Sequence, residues 1–219
     1  MRKDIIMDTN KKIIIEKRIE KTIKALEKNK MKGYCVKSRE ELFSLIDSLI
    51  KDDKLIASGG SMTLEQTGII SRLNSKYGGI FHDRAACKSP EEIQQLFRLA
   101  YSADTYFVSS NAITENGELY NVDGNGNRVS AMIFGPKQVI VVAGYDKIVS
   151  DLDEAKERVE KMAAPANAIR LGLYTPCAVT GECVHCHSDN RICCSYVTLG
   201  QQRFPDRIKV IFLAEELGL

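Results

Sequence analysis

The 219-residue sequence predicts an α/β protein built on an open, mostly parallel sheet with helices on both faces. Three observations carry that prediction. Strand-like and helix-like segments alternate along most of the chain, as βαβ units require. Lys137 to Ala143 holds Val139, Ile140, Val141 and Val142 with no polar break, the pattern of a strand covered on both faces. Helix-start signals recur between the apolar segments, most plainly at Ser38 and Ser89.

Taken in order, residues 11–29 place Ile15, Ile19, Ile23 and Leu26 at spacings of four, four and three, with lysine and glutamate between them. That is an amphipathic helix whose lysine excess forms a solvated face. A short strand follows Gly33, from Tyr34 to Lys37. Ser38 and Glu41 form a capping box for a helix that turns Leu42, Leu45, Ile46, Leu49 and Ile50 inward. Lys54 to Ser58 reads as a strand that runs into Gly59-Gly60-Ser61 and a helix from Met62 to Asn74. Ser89-Pro90-Glu91-Glu92 supplies a cap, a first-turn proline and a capping acid for a helix reaching Tyr101. Strands are predicted over Asp104 to Ser109, Glu118 to Val122 and Lys137 to Ala143. A helix over Asp151 to Ala164 would bury Leu152, Ala155, Val159 and Met162, and Ile208 to Leu213 closes the series as a strand. No interdomain linker is visible, so residues 1–219 are expected to form one domain with a cysteine-rich loop at 176–195.

Composition narrows the function classes. Hydrophobic residues make up 44% and charged residues 27%, values of a globular chain able to bury a full core. The net charge is only +2 and the basic residues are dispersed, which argues against a nucleic-acid partner. The longest purely apolar run, Val139 to Ala143, is far too short to cross a membrane. Met1 to Lys12 shows no apolar signal region, so a cytoplasmic location with reduced thiols is expected.

Five of the seven cysteines fall between Cys177 and Cys194. Under reducing conditions such crowding favours a metal over disulfides. The array has one Cys-x-x-Cys knuckle, Cys183-Val-His-Cys186, flanked by single cysteines at wider spacing. That suits an iron–sulfur cube at least as well as tetrahedral zinc. His185 and His187 read as exposed loop imidazoles, Gly181 lets the loop turn back, and Arg191 would offset thiolate charge.

Two further segments carry chemistry. Ser58-Gly-Gly-Ser-Met-Thr63 sets a glycine pair between a strand and a helix, so that Gly59, Gly60, Ser61 and Thr63 can offer donors to a carboxylate or phosphate. An ordinary tight turn with Ser61 as N-cap is the competing reading. The polar stretch after Ser109 offers Asn111, Glu115, Asp123, Asn127 and Arg128 to a crevice, whereas Asn116-Gly117 and Asn125-Gly126 read as turns. Gly124-x-Gly126 lacks the third glycine of a dinucleotide site, with Val129 in its place. His82-Asp83-Arg84 reads as a turn and is assigned no catalytic role.

These motifs together resemble the lactate-utilization (LUD) domain family. The resemblance rests on Gly59-Gly-Ser-Met-Thr-Leu64, Ser110-Asn-Ala-Ile-Thr-Glu115, the block from Asn121 to Pro136, Ala164-Pro-Ala-Asn-Ala168 and the cysteine array. It implies a Rossmann-like sheet of the kind shared by sugar-phosphate isomerases, coenzyme A transferases and formyltetrahydrofolate cyclo-ligases. It also implies a link to oxidation of L-lactate to pyruvate, where iron–sulfur proteins pass electrons. The family-like pattern ends at Cys193, so Cys177, Cys183, Cys186 and Cys193 are the expected ligands of a 4Fe-4S cluster or zinc. Cys194, next along an extended segment, should face the other way. Two positions depart from the family pattern: Gln66 stands where an acid is usual, and Asp189-Asn190 where Ser-Pro is more common.

The expected function is therefore a cytosolic metal- or cluster-containing component of hydroxy-acid utilization. Its small anionic substrate would sit at Gly59, Gly60, Ser61, Thr63, Asn111, Asp123 and Arg128, and its partners would include other iron–sulfur proteins. The alternatives are an isomerase- or transferase-like enzyme on a phosphorylated or coenzyme A-linked substrate with structural zinc, or a non-catalytic ligand-binding regulator.

Overall fold

A computed structural model describes residues 8–219, so the Met1 to Lys12 segment lies partly outside the described residues. The described strands are β1 (Lys32–Val36), β2 (Ile56–Ser58), β3 (Phe81–His82), β4 (Thr105–Val108), β5 (Ala112–Thr114), β6 (Leu119–Asp123), β7 (Gln138–Gly144), β8 (Ile148–Val149), β9 (Ser195–Leu199) and β10 (Ile208–Leu213). The helices are α1 (Thr9–Lys28), α2 (Arg39–Leu49), α3 (Met62–Gln66), α4 (Ile69–Tyr77), α5 (Pro90–Leu99), α6 (Asn127–Ile133), α7 (Leu152–Arg158), α8 (Ala164–Arg170) and α9 (Pro176–Thr180).

Six strands form a wholly parallel sheet in the order β1-β10-β7-β4-β2-β3. Its central strands are apolar on both faces because both faces are covered. Val139, Val141 and Ala143 of β7 pack with Ile15, Ile19 and Leu26 of α1, while Ile140 and Val142 pack with Leu42 and Ile46 of α2 and Ile69 and Leu73 of α4. β10 alternates in the same way, with Val210 and Phe212 on one side and Ile211 and Leu213 on the other. This is the α/β architecture the sequence predicts.

A second sheet, not expected from the sequence, lies beside the first. Its order is β8-β5-β6-β9, with β5–β6 and β6–β9 antiparallel and β5–β8 parallel. Its strands are two to five residues long, too short for their periodicity to stand out. Ile113, Leu119 and Ile148 join the core on the α1 side, while Tyr120, Val122 and Val149 join Ala155 of α7 and Val159 just after it.

The helix starts follow the residues that announce them. Ser38 Oγ accepts from the Glu41 amide at 3.2 Å, and Glu41 accepts in turn from the Lys37 amide. Ser89 and Glu92 repeat the arrangement at α5. Two expected helices differ. The one over Met62 to Asn74 is interrupted at Gly68, whose φ of +79° ends α3 and lets α4 start in a new direction. The one over Asp151 to Ala164 widens into a π turn at Val159–Ala163. Pro165 has no N–H for the Lys161 carbonyl and its ring crowds that turn, which accounts for the widening. The extra residue rotates the face, so Met162, expected inside, is 59% exposed while Ala163 is buried.

The β5–β6 hairpin turns at Asn116-Gly117, where the Asn29 side chain holds both carbonyls. Gly117 has φ +80°, and a Cβ there would lie 2.5 Å from the backbone carbon of Ala25. Gly117→Ala is therefore expected to lower stability by about 2 kcal/mol or more, read as a fall in denaturation midpoint, and an unchanged midpoint would contradict this contact.

Candidate functional site

The site lies at the carboxyl edge of the parallel sheet. From β2 the chain moves outward to β3, and from β4 it moves inward to β7, so the two connections diverge. A crevice opens where neighbouring connections part, which is where open α/β sheets bind ligands. Here it is a cleft of about 420 Å³. One wall comes from the loops after β2, β3, β4 and β7, and the other from β6, α6, α8 and the cysteine loop.

Of the residues singled out in the sequence, Gly60, Ser61, Thr63, Asn111, Asp123, Asn127 and Arg128 line this cleft. Gly59 lies behind it: a Cβ there would come within 2.9 Å of the Tyr106 hydroxyl and 3.1 Å of Arg128 Cγ. Gly59 thus permits the close approach of Arg128, and its amide donates to the Phe107 carbonyl at 2.9 Å. Ser61 Oγ accepts from the Leu64 amide at 3.3 Å, so Ser61 is an N-cap as well as a lining residue. Glu115 is elsewhere, paired with Arg18 at 2.7 Å and with Lys21.

Arg128 is nearly enclosed, and its donors are turned toward the protein. Nη1 donates to Asn121 Oδ1 at 2.7 Å and to the Ser109 carbonyl at 3.1 Å, and Nη2 donates to Asn111 Oδ1 and the Val122 carbonyl, each at 2.9 Å. Asp123 Oδ2 accepts from the Arg128 and Val129 amides, starting α6, while Oδ1 lies 4.0 Å from Arg128 Nε. Arg128 is accordingly the strut of the cleft and contributes long-range positive potential to it.

Lys147, not among the residues singled out from the sequence, lies just beyond β7 in the cleft wall and is 3% exposed. Its ammonium donates to the Leu219 backbone oxygen. The nearest carboxylate, Asp146, is 4.0 Å away and is engaged by Arg158 at 3.1 Å and the Leu217 amide at 2.9 Å. Burial first, and then the Arg158 charge, push the Lys147 amine down to about 8. Arg84, Asn167, Arg170 and Arg191 also line the cleft. The available signal was positional, since Lys147 and Arg84 both follow parallel strands. Gln66, in place of an acid, accepts from the Gly218 amide at 2.7 Å. His82 is exposed and lies with Asp83, Cys87 and Glu92 at a separate depression.

The cysteine loop borders the same cleft through Arg191, Ile192 and Cys194. It begins on α9, a short helix not anticipated, which ends at Gly181 with φ +81°. Arg191 holds the loop together, donating to the Cys193 carbonyl at 2.8 Å, the Cys186 carbonyl and the Tyr196 hydroxyl at 3.0 Å. Cys193 packs inward against the second sheet, while Cys194 is exposed and faces the cleft. Burial first, and then the neighbouring Cys177, Cys183 and Cys186, push the Cys193 thiol up to about 11. Cys177, Cys183 and Cys186 therefore each lie within electrostatic reach of Cys193. Among the described residues, no three Cys, His, Asp or Glu side chains already converge on an ion position. The donor set fits thiolate chemistry, with His185 and His187 both exposed.

Fold and site together define an α/β protein with a cationic cleft at the sheet's carboxyl edge and a cysteine-rich loop beside it. The LUD domain profile matches residues 19–213, and the chain belongs to the LUD-domain family, which is associated with lactate utilization. A solved structure of a DUF162 family protein from Deinococcus radiodurans is similar in fold, with a TM-score of 0.51 and 15% identity over 92% of this chain and 98% of that one. No match was found among curated proteins. No described helix is long and apolar enough to cross a membrane.

The depressed Lys147 amine gives the site a pH signature. Anion binding that uses its ammonium weakens as pH rises through about 8. The unfolded chain keeps that proton up to the ordinary lysine value of 10.5, so this residue's contribution to stability rises with pH between the two values. Phosphate-induced thermal stabilisation should be larger at pH 7 than at pH 9, and Lys147→Met should remove the difference. Equal stabilisation of wild type at both values would show that Lys147 does not meet the anion.

Proposed function

We propose that this chain is a cytosolic component of hydroxy-acid utilization, lactate being the family's association, that binds a small anionic ligand in the cleft and carries an iron–sulfur cluster or zinc on its cysteine loop. The observation that supports this most is the shared wall. The Cys194 amide donates to the Asp123 carbonyl at 2.9 Å, so the cysteine loop is anchored on the strand end that forms the centre of the cleft. A ligand in the cleft would lie beside the loop.

The ligand's carboxylate or phosphate would be met by Gly60, Ser61 and Thr63 on one side, with Asn111 and Asp123 supplying polar contacts beyond them. Arg128 would hold those groups in place and add to the positive potential. Cys177, Cys183, Cys186 and Cys193 would hold the metal group. A cluster would supply one-electron transfer when bound, whereas zinc would chiefly order the loop. Other iron–sulfur proteins of a lactate-oxidation system are the partners this reading calls for. The isomerase- or transferase-like alternative with structural zinc draws on the several cations around the cleft.

Anaerobic purification with metal analysis and an optical spectrum separates these readings. Visible absorption that bleaches with dithionite supports the redox component, and a colourless zinc-loaded protein supports the alternative. Removing one of four ligands collapses such sites because metal binding and local folding are coupled. Single Cys→Ser changes at 177, 183, 186 or 193 should therefore each strip the metal, while changes at 194, 35 or 87 should keep it at wild-type stoichiometry. Loss at 194 with retention at 193 would overturn the ligand assignment, and retention in all seven would overturn the site.

A further inference from the structure

We propose that the cleft is built for a short hydroxy acid bearing two anionic groups, such as a phosphorylated or dicarboxylic acid, rather than for a simple monocarboxylate. This rests on the anion-binding reading of the same cleft.

Charge is the first argument. The lining includes Arg84, Arg128, Lys147, Arg170 and Arg191 against the single carboxylate of Asp123. Asp123 and Arg128 are committed to each other's surroundings and to the start of α6, as their hydrogen bonds show. Of the other four cations, Lys147 and Arg191 donate to backbone oxygens and Arg170 to the Asn167 side chain, so none of those bonds neutralises a charge with a side-chain carboxylate. Among the described residues, the one side-chain carboxylate within salt-bridge range of any of them is Asp146, 4.0 Å from Lys147 and already held by Arg158. Lys147 is buried, Arg191 is half-buried and Arg84 and Arg170 are exposed, so the cleft carries an excess of positive charge that draws an anion toward it.

Placement is the second argument. Lys147 and Thr63 converge: a Cβ on Gly218 would meet Lys147 Nζ at 3.3 Å and Thr63 Oγ1 at 2.5 Å. Arg84 lies against the glycine loop, its terminal nitrogens 3.3 Å from where a Gly60 Cβ would be. These groups belong to the main-sheet wall. Arg170 is on α8, with Nε and Nη2 both resting on Asn167 Oδ1 at 3.0 and 2.7 Å, and Arg191 is in the cysteine loop. Those two belong to the other wall. One carboxylate offers a counter-charge to one wall only, whereas an anion at each end of a short chain offers one to both.

Size is the third argument. The cleft's 420 Å³ falls within the range of pockets that hold ligands much larger than lactate, about 300–1,000 Å³. A three-carbon monoacid fills only on the order of three water volumes, at about 30 Å³ each.

The test is calorimetric titration of the intact protein at pH 7 with L-lactate, inorganic phosphate, 3-phosphoglycerate and L-malate, repeated on Arg170→Ala. At least one two-headed acid should bind at least tenfold tighter than both lactate and phosphate. Arg170→Ala should remove most of that advantage while changing lactate affinity less than twofold. Lactate binding within threefold of both two-headed acids overturns this inference and leaves the anion cleft standing. An advantage that survives in Arg170→Ala also overturns it, because the second wall then plays no part. If none of the four binds, the anion-binding reading itself fails, and this inference with it.

Discussion

Arg128 is the point at which the two sheets, the cleft and the cysteine loop are tied together. Its guanidinium bridges the Ser109 carbonyl at the end of β4 to Asn121 and the Val122 carbonyl of β6, and it orients Asn111 between them. One buried cation thereby fixes the relative position of a parallel sheet and a mixed one. Breaking such a network by removing one partner costs about 3–5 kcal/mol, because the remaining polar groups are left buried and unpaired. Gly59 belongs to the same arrangement, since any side chain there would press on Tyr106 and Arg128. The Asn121 amide nitrogen is buried without a partner among the described residues, so the network is not fully satisfied even as it stands.

The consequences run outward from that strut. Asp123 is drawn toward Arg128 and uses one oxygen to start α6, and its carbonyl receives the Cys194 amide. The cysteine loop therefore takes its position from the same residue that shapes the centre of the cleft. Cys193 turns toward the second sheet and Cys194 toward the cleft, so adjacent thiols meet different environments. The other positive groups of the cleft are Lys147, which is as buried as the strut, and Arg84, Arg170 and Arg191, which are more exposed.

Much of this was legible in the sequence. The run from Val139 to Val142 announced a central strand because both faces of that strand are covered, and the boxes at Ser38 and Ser89 announced helices because they satisfy amides at those helix starts. The glycine loop and Asn111 were readable because they follow strands at the sheet edge where such folds bind ligands, and Asp123 and Arg128 because they sit in a polar stretch, although they belong to β6 and α6 beside the second sheet. The second sheet was not readable, since β5 and β8 are three and two residues long and draw their stability from pairing. Lys147 was missed because a lysine in a charged segment looks solvated, and only the tertiary fold buries it. Met162 was misplaced because its spacing suits a regular helix, which the π turn before Pro165 interrupts.

The central claim is that an anion binds in the cleft at the sheet's carboxyl edge. Hydrogen exchange read by mass spectrometry, with and without saturating inorganic phosphate, tests it directly. Added protection is expected in peptides covering residues 58–64, 109–128 and 145–148, with no change over residues 81–83 and 92–99 at the separate depression. Protection confined to that depression, or none anywhere, would contradict the assignment of this cleft as the ligand site.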